Sequence, residues 1–335
     1  MIALTERDAR PRSESLTRAT GVAAPVLVAV EERIDAVVGG LDRGVRPIVA
    51  HLVDAGGKRL RPLLVALSGA AFGAPLEALA ELGAAVELVH TATLLHDDVI
   101  DRGALRRGAP TANVRFGDGP AVLSGDFLYA RVFRRLLSLR FHAALDTLAA
   151  TVEALVAGEL LQLARRDDPS MTPAEAVAIA ERKTASLFAF AVSEGARAGG
   201  ATDAERARLA LFGRRLGLAF QTLDDVLDLD EGTGKTPLKD LVEGTFTLPV
   251  LLARGRDPAI DRLLARLAAT PREERPARAA ELAFRARRAG GVERARTFAR
   301  RLALRARRAL LAGAPAGPAR DALVALNDEL VARTR

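Results

Sequence analysis

From about residue 21 onward, apolar side chains recur every three or four positions, and alanine, leucine and arginine fill most of the chain. That is the period with which an α-helix buries one face. Strand-like alternation of β-branched residues is scarce. Glycine and proline break the pattern at Gly39–Gly40, Gly73–Pro75, Gly117–Pro120, Asp167–Pro173, Gly199–Gly200, Gly232–Pro237, Arg256–Pro258, Pro271–Pro276, Gly290–Gly291 and Gly313–Pro318. The spacing predicts about ten or more helices with short connections and no linker marking a domain boundary. The expected fold is all-α, with residues 21–335 as one domain; residues 1–20, polar and basic, are expected to be disordered.

Composition narrows the chemistry. A chain of 335 residues with 49% hydrophobic content can bury a substantial core, and the absence of cysteine excludes disulfides, thiolate-held metals and thiol nucleophiles. A reducing cytoplasm is the expected compartment. The run Val22–Val30 contains Pro25 and leads straight into Glu31, Glu32 and Arg33, so it reads as a helix start and not as a signal peptide. The longest uncharged stretch, Pro62–Leu76, is 15 residues, too short to span a bilayer. Net charge is 49 − 42 = +7, and on its own suggests nucleic acid or an anionic membrane as partner. Only four of the 49 basic residues are lysine: Lys58, Lys183, Lys235 and Lys239. In so arginine-rich a chain, a retained lysine suits a task that needs a compact, rotatable ammonium.

One internal echo carries candidate chemistry: His96-Asp97-Asp98-Val99-Ile100-Asp101 and Leu223-Asp224-Asp225-Val226-Leu227-Asp228. On a helix, Asp97 and Asp101 share a face, as do Asp224 and Asp228. A single such cluster reads equally as a solvated face or a helix end. Two copies, each in apolar surroundings where like charges repel, point to bound cations, and Mg2+ suits carboxylate pairs completed by water and phosphate oxygens. Arg106 and Arg107 follow the first cluster, and arginine forks match diphosphate oxygens. His90 lies two turns before Asp97 and Gln221 one turn before Asp224. Gly56-Gly57-Lys58-Arg59-Leu60-Arg61-Pro62 offers backbone approach to an anion beside a basic cluster. Gly232-Thr233-Gly234-Lys235-Thr236 imitates the end of a P-loop, but position 229, where the pattern needs glycine, is Leu229.

With these motifs in order, the chain resembles the trans-isoprenyl diphosphate synthase (polyprenyl synthetase) family. The likeness runs from about Gly56 to Ala253, through GGKRLRP (56–62), HTATLLHDDVID (90–101), RRG (106–108), GDFLYAR (125–131), GELLQL (158–163), KTASLF (183–188), FQTLDDVLD (220–228) and DLVEGTFTLP (240–249). The resemblance implies a helical barrel or bundle around a central apolar cavity. It also implies a cluster of Mg2+ ions, three per site, held by Asp97, Asp98, Asp101, Asp224, Asp225 and Asp228, with Asp97, Asp101 and Asp224 foremost. It assigns Arg106, Lys183, Gln221 and Lys235, with Thr184 nearby, to an allylic diphosphate. Gly57, Lys58, Arg61, His90 and Arg107 are assigned to isopentenyl diphosphate. The implied reaction is chain elongation, with homodimerisation a family expectation. A terpene cyclase or a non-catalytic partner subunit fits the motifs less well, and nucleic-acid binding leaves the aspartates unexplained.

Product length is expected to be medium or long, on the order of six to ten isoprene units. Ala92 and Thr93, five and four residues before Asp97, are small where short-chain members of the family carry bulky aromatics. Tyr129, Val132 or Phe133 could close the tunnel sooner, which would give a farnesyl or geranylgeranyl product. Two departures concern the site's cover: Glu243-Gly244-Thr245 stands where the family usually has EGK, and Leu238-Lys239 replace a glycine and a polar residue. Lys239 is the expected substitute for the missing ammonium. The arginine-rich segment Phe284–Arg308 reads as a packed helix with a solvated face, with contact to an anionic membrane as the alternative.

Overall fold

The computed structural model describes residues 14–229 and 238–332. Helices dominate as expected: α1 (Glu14–Gly39), α2 (Arg46–Asp54), α3 (Leu60–Ala71), α4 (Leu76–Ile100), α5 (Ala112–Phe116), α6 (Asp118–Ser138), α7 (His142–Ala164), α8 (Pro173–Ala180), α9 (Ser186–Ala198), α10 (Asp203–Asp228), α11 (Lys239–Val242), α12 (Leu248–Ala253), α13 (Ala259–Ala268), α14 (Arg275–Arg288), α15 (Gly291–Gly313) and α16 (Pro318–Ala332). The described β structure is one ribbon, β1 (Leu105–Arg106) paired antiparallel with β2 (Ala109–Pro110). The residues group into two compact units. The first runs up to residue 149 and adds 191–207 and 313–325; the second comprises 150–190, 208–312 and the residues from 326 on.

In the first unit α4 is the central element, with α1, α3 and α6 packed along it and α2 and α5 against it. It is apolar nearly all round and buried nearly all round, from Leu79 to Leu95. It is also long and apolar enough to cross a membrane, yet 78% of its most apolar stretch is buried inside the protein, as befits a core helix. The helix α1 begins at Glu14, inside the stretch expected to be irregular. Ala19, Ala23, Val26 and Val30 are buried, so its apolar stripe extends upstream of residue 21 and packing outweighs the polar composition there.

The second unit has its own core, in which Leu229, Leu241, Phe246, Leu251, Leu264 and Leu282 pack together and hold the end of α10 against the later helices. Matching capping boxes start two helices: Thr172 with Glu175 at α8, and Thr202 with Glu205 at α10. The arginine-rich C-terminal segment is broken at Gly290, whose φ is +78°. Beyond the break, Ala295, Ala299, Leu302 and Ala306 are buried while Arg294, Arg301, Arg305 and Arg308 are exposed, so one side of the helix packs as its spacing predicts.

One buried acid in the first unit makes stability depend on pH. Glu194 of α9 is fully buried beside Arg197 (2.8 Å) and Arg206 (3.6 Å), yet burial outweighs them and pushes its carboxyl up to about 7. A carboxyl raised in the folded state contributes most below its unfolded value and loses that contribution as pH rises through the folded one. We expect urea unfolding to show a loss of up to about 3 kcal/mol from this group between pH 5 and 8. The Glu194→Gln variant should flatten that slope; identical slopes in the two proteins would contradict the assignment.

Candidate active site

The first aspartate motif closes a helix. Asp97 and Asp98 lie in the last turn of α4, and Asp101 is its C-terminal cap, with its N–H on the Asp97 carbonyl at 2.9 Å. A helix C-terminus carries unpaired carbonyls and the negative end of the macrodipole, so carboxylates there favour a nearby cation. Asp97 and Asp101 are partly exposed on one side, whereas Asp98 is buried. The Oδ1 of Asp98 accepts from Arg106 through Nε at 2.8 Å and Nη2 at 2.7 Å.

Arg106 sits on β1, and the ribbon turns through Arg107 and Gly108 at φ +53° and +78°. These are the two left-handed positions of the tight primed hairpin, and an arginine at the first is strained. Side chains pin the ribbon in place. Thr111 bonds Gly103 through its hydroxyl, and His51 of α2 meets the Pro110 carbonyl at 2.7 Å. Arg115 reaches the other ring nitrogen of His51 at 3.0 Å. A guanidinium can only donate, so Nδ1 accepts and Nε2–H donates to Pro110.

Around this ribbon the first unit gathers cations. Gly57 leaves room for Arg107, whose two Nη atoms would stand 3.3 Å from any Cβ at that position. Burial lowers the pKa of Arg61 to about 10, with Arg107 adding to the fall and Glu87 opposing it. Burial and then Arg61, Arg107, Arg106 and Arg59 push His90 well below its usual value, so its ring is neutral at pH 7. Arg59, at φ +47°, is held by Glu31 (2.6 Å) and Glu87 (3.0 Å). Crowded guanidiniums beside a neutral imidazole suit an anion with several oxygens. Lys58 is exposed on the same loop.

The second motif repeats the first. Asp228 ends α10, Asp224 and Asp228 are partly exposed, and Asp225 is buried. Gln221 donates to Asp225 Oδ1 at 2.9 Å and accepts from the Thr184 hydroxyl at 2.7 Å. Burial pushes Asp225 up to about 7, and Asp224 and Asp228 add to the rise. Asp228 also accepts the backbone N–H groups of Lys239 and Asp240, each at 3.2 Å, so the single turn α11 rests on it. Asp240 is raised well above the carboxylate range by burial and then by Asp228, Asp225, Asp224 and Glu243.

Lys183 and Thr184 lie in a π-helical turn, Glu181–Ala185, between α8 and α9. The extra residue of such a turn is a local departure that often marks a functional position. Lys183 Nζ pairs with Glu159 and donates to Gln162 at 3.1 Å, both on α7. Gly158 makes this approach feasible, because a Cβ there would come within 2.7 Å of Arg182 Cβ and 2.9 Å of Lys183 Cγ.

The donor set fits a hard divalent cation. All the candidate ligands are carboxylate oxygens at helix C-termini, and Asp224 and Asp228 add like-charge repulsion to the rise that burial causes in Asp225 and Asp240, a repulsion that a cation would relieve. Among the described residues no three acidic or histidine side chains converge as a closed cage. Mg2+ takes few protein ligands and completes its shell with water and substrate phosphates.

The polyprenyl synthetase family description matches residues 43–283. This chain belongs to the polyprenyl synthetase family. It is 41% identical to octaprenyl diphosphate synthase of Escherichia coli over 206 residues, 61% of this chain and 64% of that protein. It is 36% identical to nonaprenyl diphosphate synthase of Mycobacterium tuberculosis over 309 residues, 91% of each chain. The crystal structure of a Caulobacter crescentus polyprenyl synthase with calcium and isoprenyl diphosphate superposes with a TM-score of 0.89. It is 37% identical and covers 97% of this chain and 100% of its own. Geranylgeranyl diphosphate synthases also match.

Set against the expectations, this polyprenyl synthetase places Asp97, Asp101, Asp224 and Asp228 at accessible helix ends but turns Asp98 and Asp225 inward, onto Arg106 and Gln221. Both inner acids are expected among the metal ligands; in the fold Asp98 accepts from Arg106 and Asp225 from Gln221. Gly57, Arg61, His90 and Arg107 come together in the first unit, and Lys183, Thr184 and Gln221 lie in the second. Lys235 lies outside the described residues. Lys239 Nζ is 3.7 Å from Glu243, and the Thr245 backbone is tied to the Asp240 carbonyl at 2.8 Å. Glu159, Gln162, Asp240, Glu87 and His51 went unassigned in the sequence. Glu159 and Gln162 fall within GELLQL and Asp240 within DLVEGTFTLP, and the three-residue spacing of Glu159 and Gln162 puts both on one helix face.

Proposed function

We propose that this polyprenyl synthetase condenses an allylic diphosphate with isopentenyl diphosphate, head to tail, giving an all-trans polyprenyl diphosphate of medium or long chain. The observation that carries the reading is the division of labour within each aspartate motif. The outer acids face outward for Mg2+, while Asp98 and Asp225 orient Arg106 and Gln221. The calcium and isoprenyl diphosphate of the Caulobacter crescentus structure support a divalent cation and a prenyl diphosphate as what the site holds, and the octaprenyl and nonaprenyl names of the relatives support the chain length. Residues 21–335 then act as one catalytic domain, cytoplasmic and homodimeric. The exposed Leu123 (67%) and Leu137 (53%) of α6 support the dimer.

In this reading Arg106, Lys183 and Gln221, with Thr184 behind Gln221, grip the allylic diphosphate, and Lys235 joins them. Arg61, Arg107, neutral His90, Lys58 and the Gly57 backbone take isopentenyl diphosphate. Bound Mg2+ supplies Lewis-acid stabilisation of the diphosphate oxygens. The allylic C–O bond breaks with its electron pair leaving on diphosphate, where the arginine and lysine charges stabilise the growing anion. The double bond of isopentenyl diphosphate attacks the allylic cation. The departing diphosphate takes the released proton, so no separate base is required. Apolar walls keep water from trapping the cation.

The chain-length reading draws on α4 and α6. Ala92 is fully buried and Thr93 spends its hydroxyl on the His90 carbonyl at 2.7 Å. Tyr129 lies between His96 and Phe133 in tilted ring contacts, 5.7 and 6.4 Å between ring centres, and burial, with Asp97 adding to it, raises its pKa. Tyr129 therefore lies level with the aspartate motif, and Val132 is buried in the core.

With Mg2+, labelled isopentenyl diphosphate and a series of allylic primers, dephosphorylated products should chromatograph as alcohols of about six to ten units. The absence of any butanol-extractable product would reject the reaction, and farnesol or geranylgeraniol alone would reject the chain length. The Lys239→Ala variant should raise the allylic KM or lower kcat by about tenfold if this ammonium serves the allylic diphosphate. Unchanged constants would assign Lys239 to Glu243 alone.

A further inference from the structure

The outer face of α15 is built differently from an ordinary solvated helix face. Thr297, Leu304 and Leu311 follow at seven-residue intervals and lie along its centre line, about 10.5 Å apart. Leu304 is 62% and Leu311 46% exposed. One flank carries Arg300 and Arg307, the other Arg301 and Arg308, so two exposed leucines lie between two rows of arginine. From Arg294 to Gly313 there are seven arginines and no acid. Arg307 pairs with Asp328 at 3.0 Å. Among the described residues Arg300, Arg301 and Arg308 have no carboxylate partner. Exposed leucines cost solubility and unpaired arginines cost mutual repulsion, and a bare surface would need neither.

We propose that this face of α15 docks on a bilayer containing anionic lipid. Arginine side chains flanking the two leucines can lay their stems beside them and place their guanidiniums at the phosphate level, while the leucines enter the headgroup boundary. The charge identifies the occupant. A second copy of this chain, meeting face to face about a twofold axis, would set arginine against arginine. A nucleic acid would use the arginines but offer nothing to the central leucines. The polyprenyl product assigned under Proposed function gives the contact a purpose, since a long hydrocarbon leaves water most readily into a bilayer, but the surface chemistry stands without it.

Flotation of the full-length protein with vesicles tests this docking. Vesicles of phosphatidylcholine with about one third phosphatidylglycerol should carry the protein, and phosphatidylcholine alone should not. The triple variant Arg300→Gln/Arg301→Gln/Arg308→Gln should lose about 100-fold in partitioning, at roughly fivefold per arginine. The corresponding triple lysine variant should keep most of it. Leu304→Ser/Leu311→Ser should lose about tenfold, with circular dichroism and elongation of a short primer in solution unchanged in every variant. Equal binding to both vesicle types would overturn the proposal. So would serine variants that bind phosphatidylglycerol as the parent does, since that would mark mere adsorption of a polycation. A change of molar mass in light scattering for the serine variant would equally overturn it, in favour of a contact between copies.

Discussion

Carboxylates at the negative end of a helix are the constraint on which the rest of the site depends. α4 and α10 both end in aspartates, where unpaired carbonyls and the macrodipole already favour a cation. Folding alone would select against this arrangement. Burial, with like charge adding to it, raises Asp225 to about 7 and holds Asp240 well above the carboxylate range. A divalent cation bound between these acids would relieve the like-charge part of that rise, as expected where function is kept at some cost to stability.

The same constraint assigns the neighbouring side chains. An acid that faces outward can meet a metal, and an acid one position along is rotated inward, where it needs a donor. Asp98 finds Arg106, and Asp225 finds Gln221, which Thr184 holds from behind. Lys183 is steadied by Glu159 and Gln162 in a π turn that only a glycine at position 158 admits. Forked, strained or crowded arginines (Arg59, Arg61, Arg106, Arg107) occupy the first unit, where planar donors match carboxylate and phosphate edges. Compact ammonium groups, Lys183 and Lys239, lie beside carboxylates in the second.

Much of this was legible in the chain. Helical period predicted the elements and put Asp97 with Asp101, and Asp224 with Asp228, on shared faces. Glycine and proline marked the breaks, and the Thr-x-x-Glu boxes at Thr172 and Thr202 mark two helix starts. What stayed hidden depends on tertiary packing. Nothing local to Asp98 says that burial turns it onto Arg106. Asp240 reads as an ordinary helix-start acid until α11 is seated on Asp228. The turn at Arg107 lacks the Asn-Gly or Asp-Gly signature that would have announced a hairpin. The helical start at Glu14 was masked by polar composition that packing overrides.

The most direct measurement follows the sign of one substitution under two conditions. In metal-free protein, Asp224→Asn should raise the unfolding free energy by about 0.3–1 kcal/mol, because it removes a charge from the negative end of α10. With Mg2+ and inorganic diphosphate present the order should reverse, since the wild type gains ligand-linked stability that the variant forfeits. A variant that is less stable than wild type by the same amount in both conditions would contradict the view that these aspartates are strained in order to hold a metal-bound diphosphate.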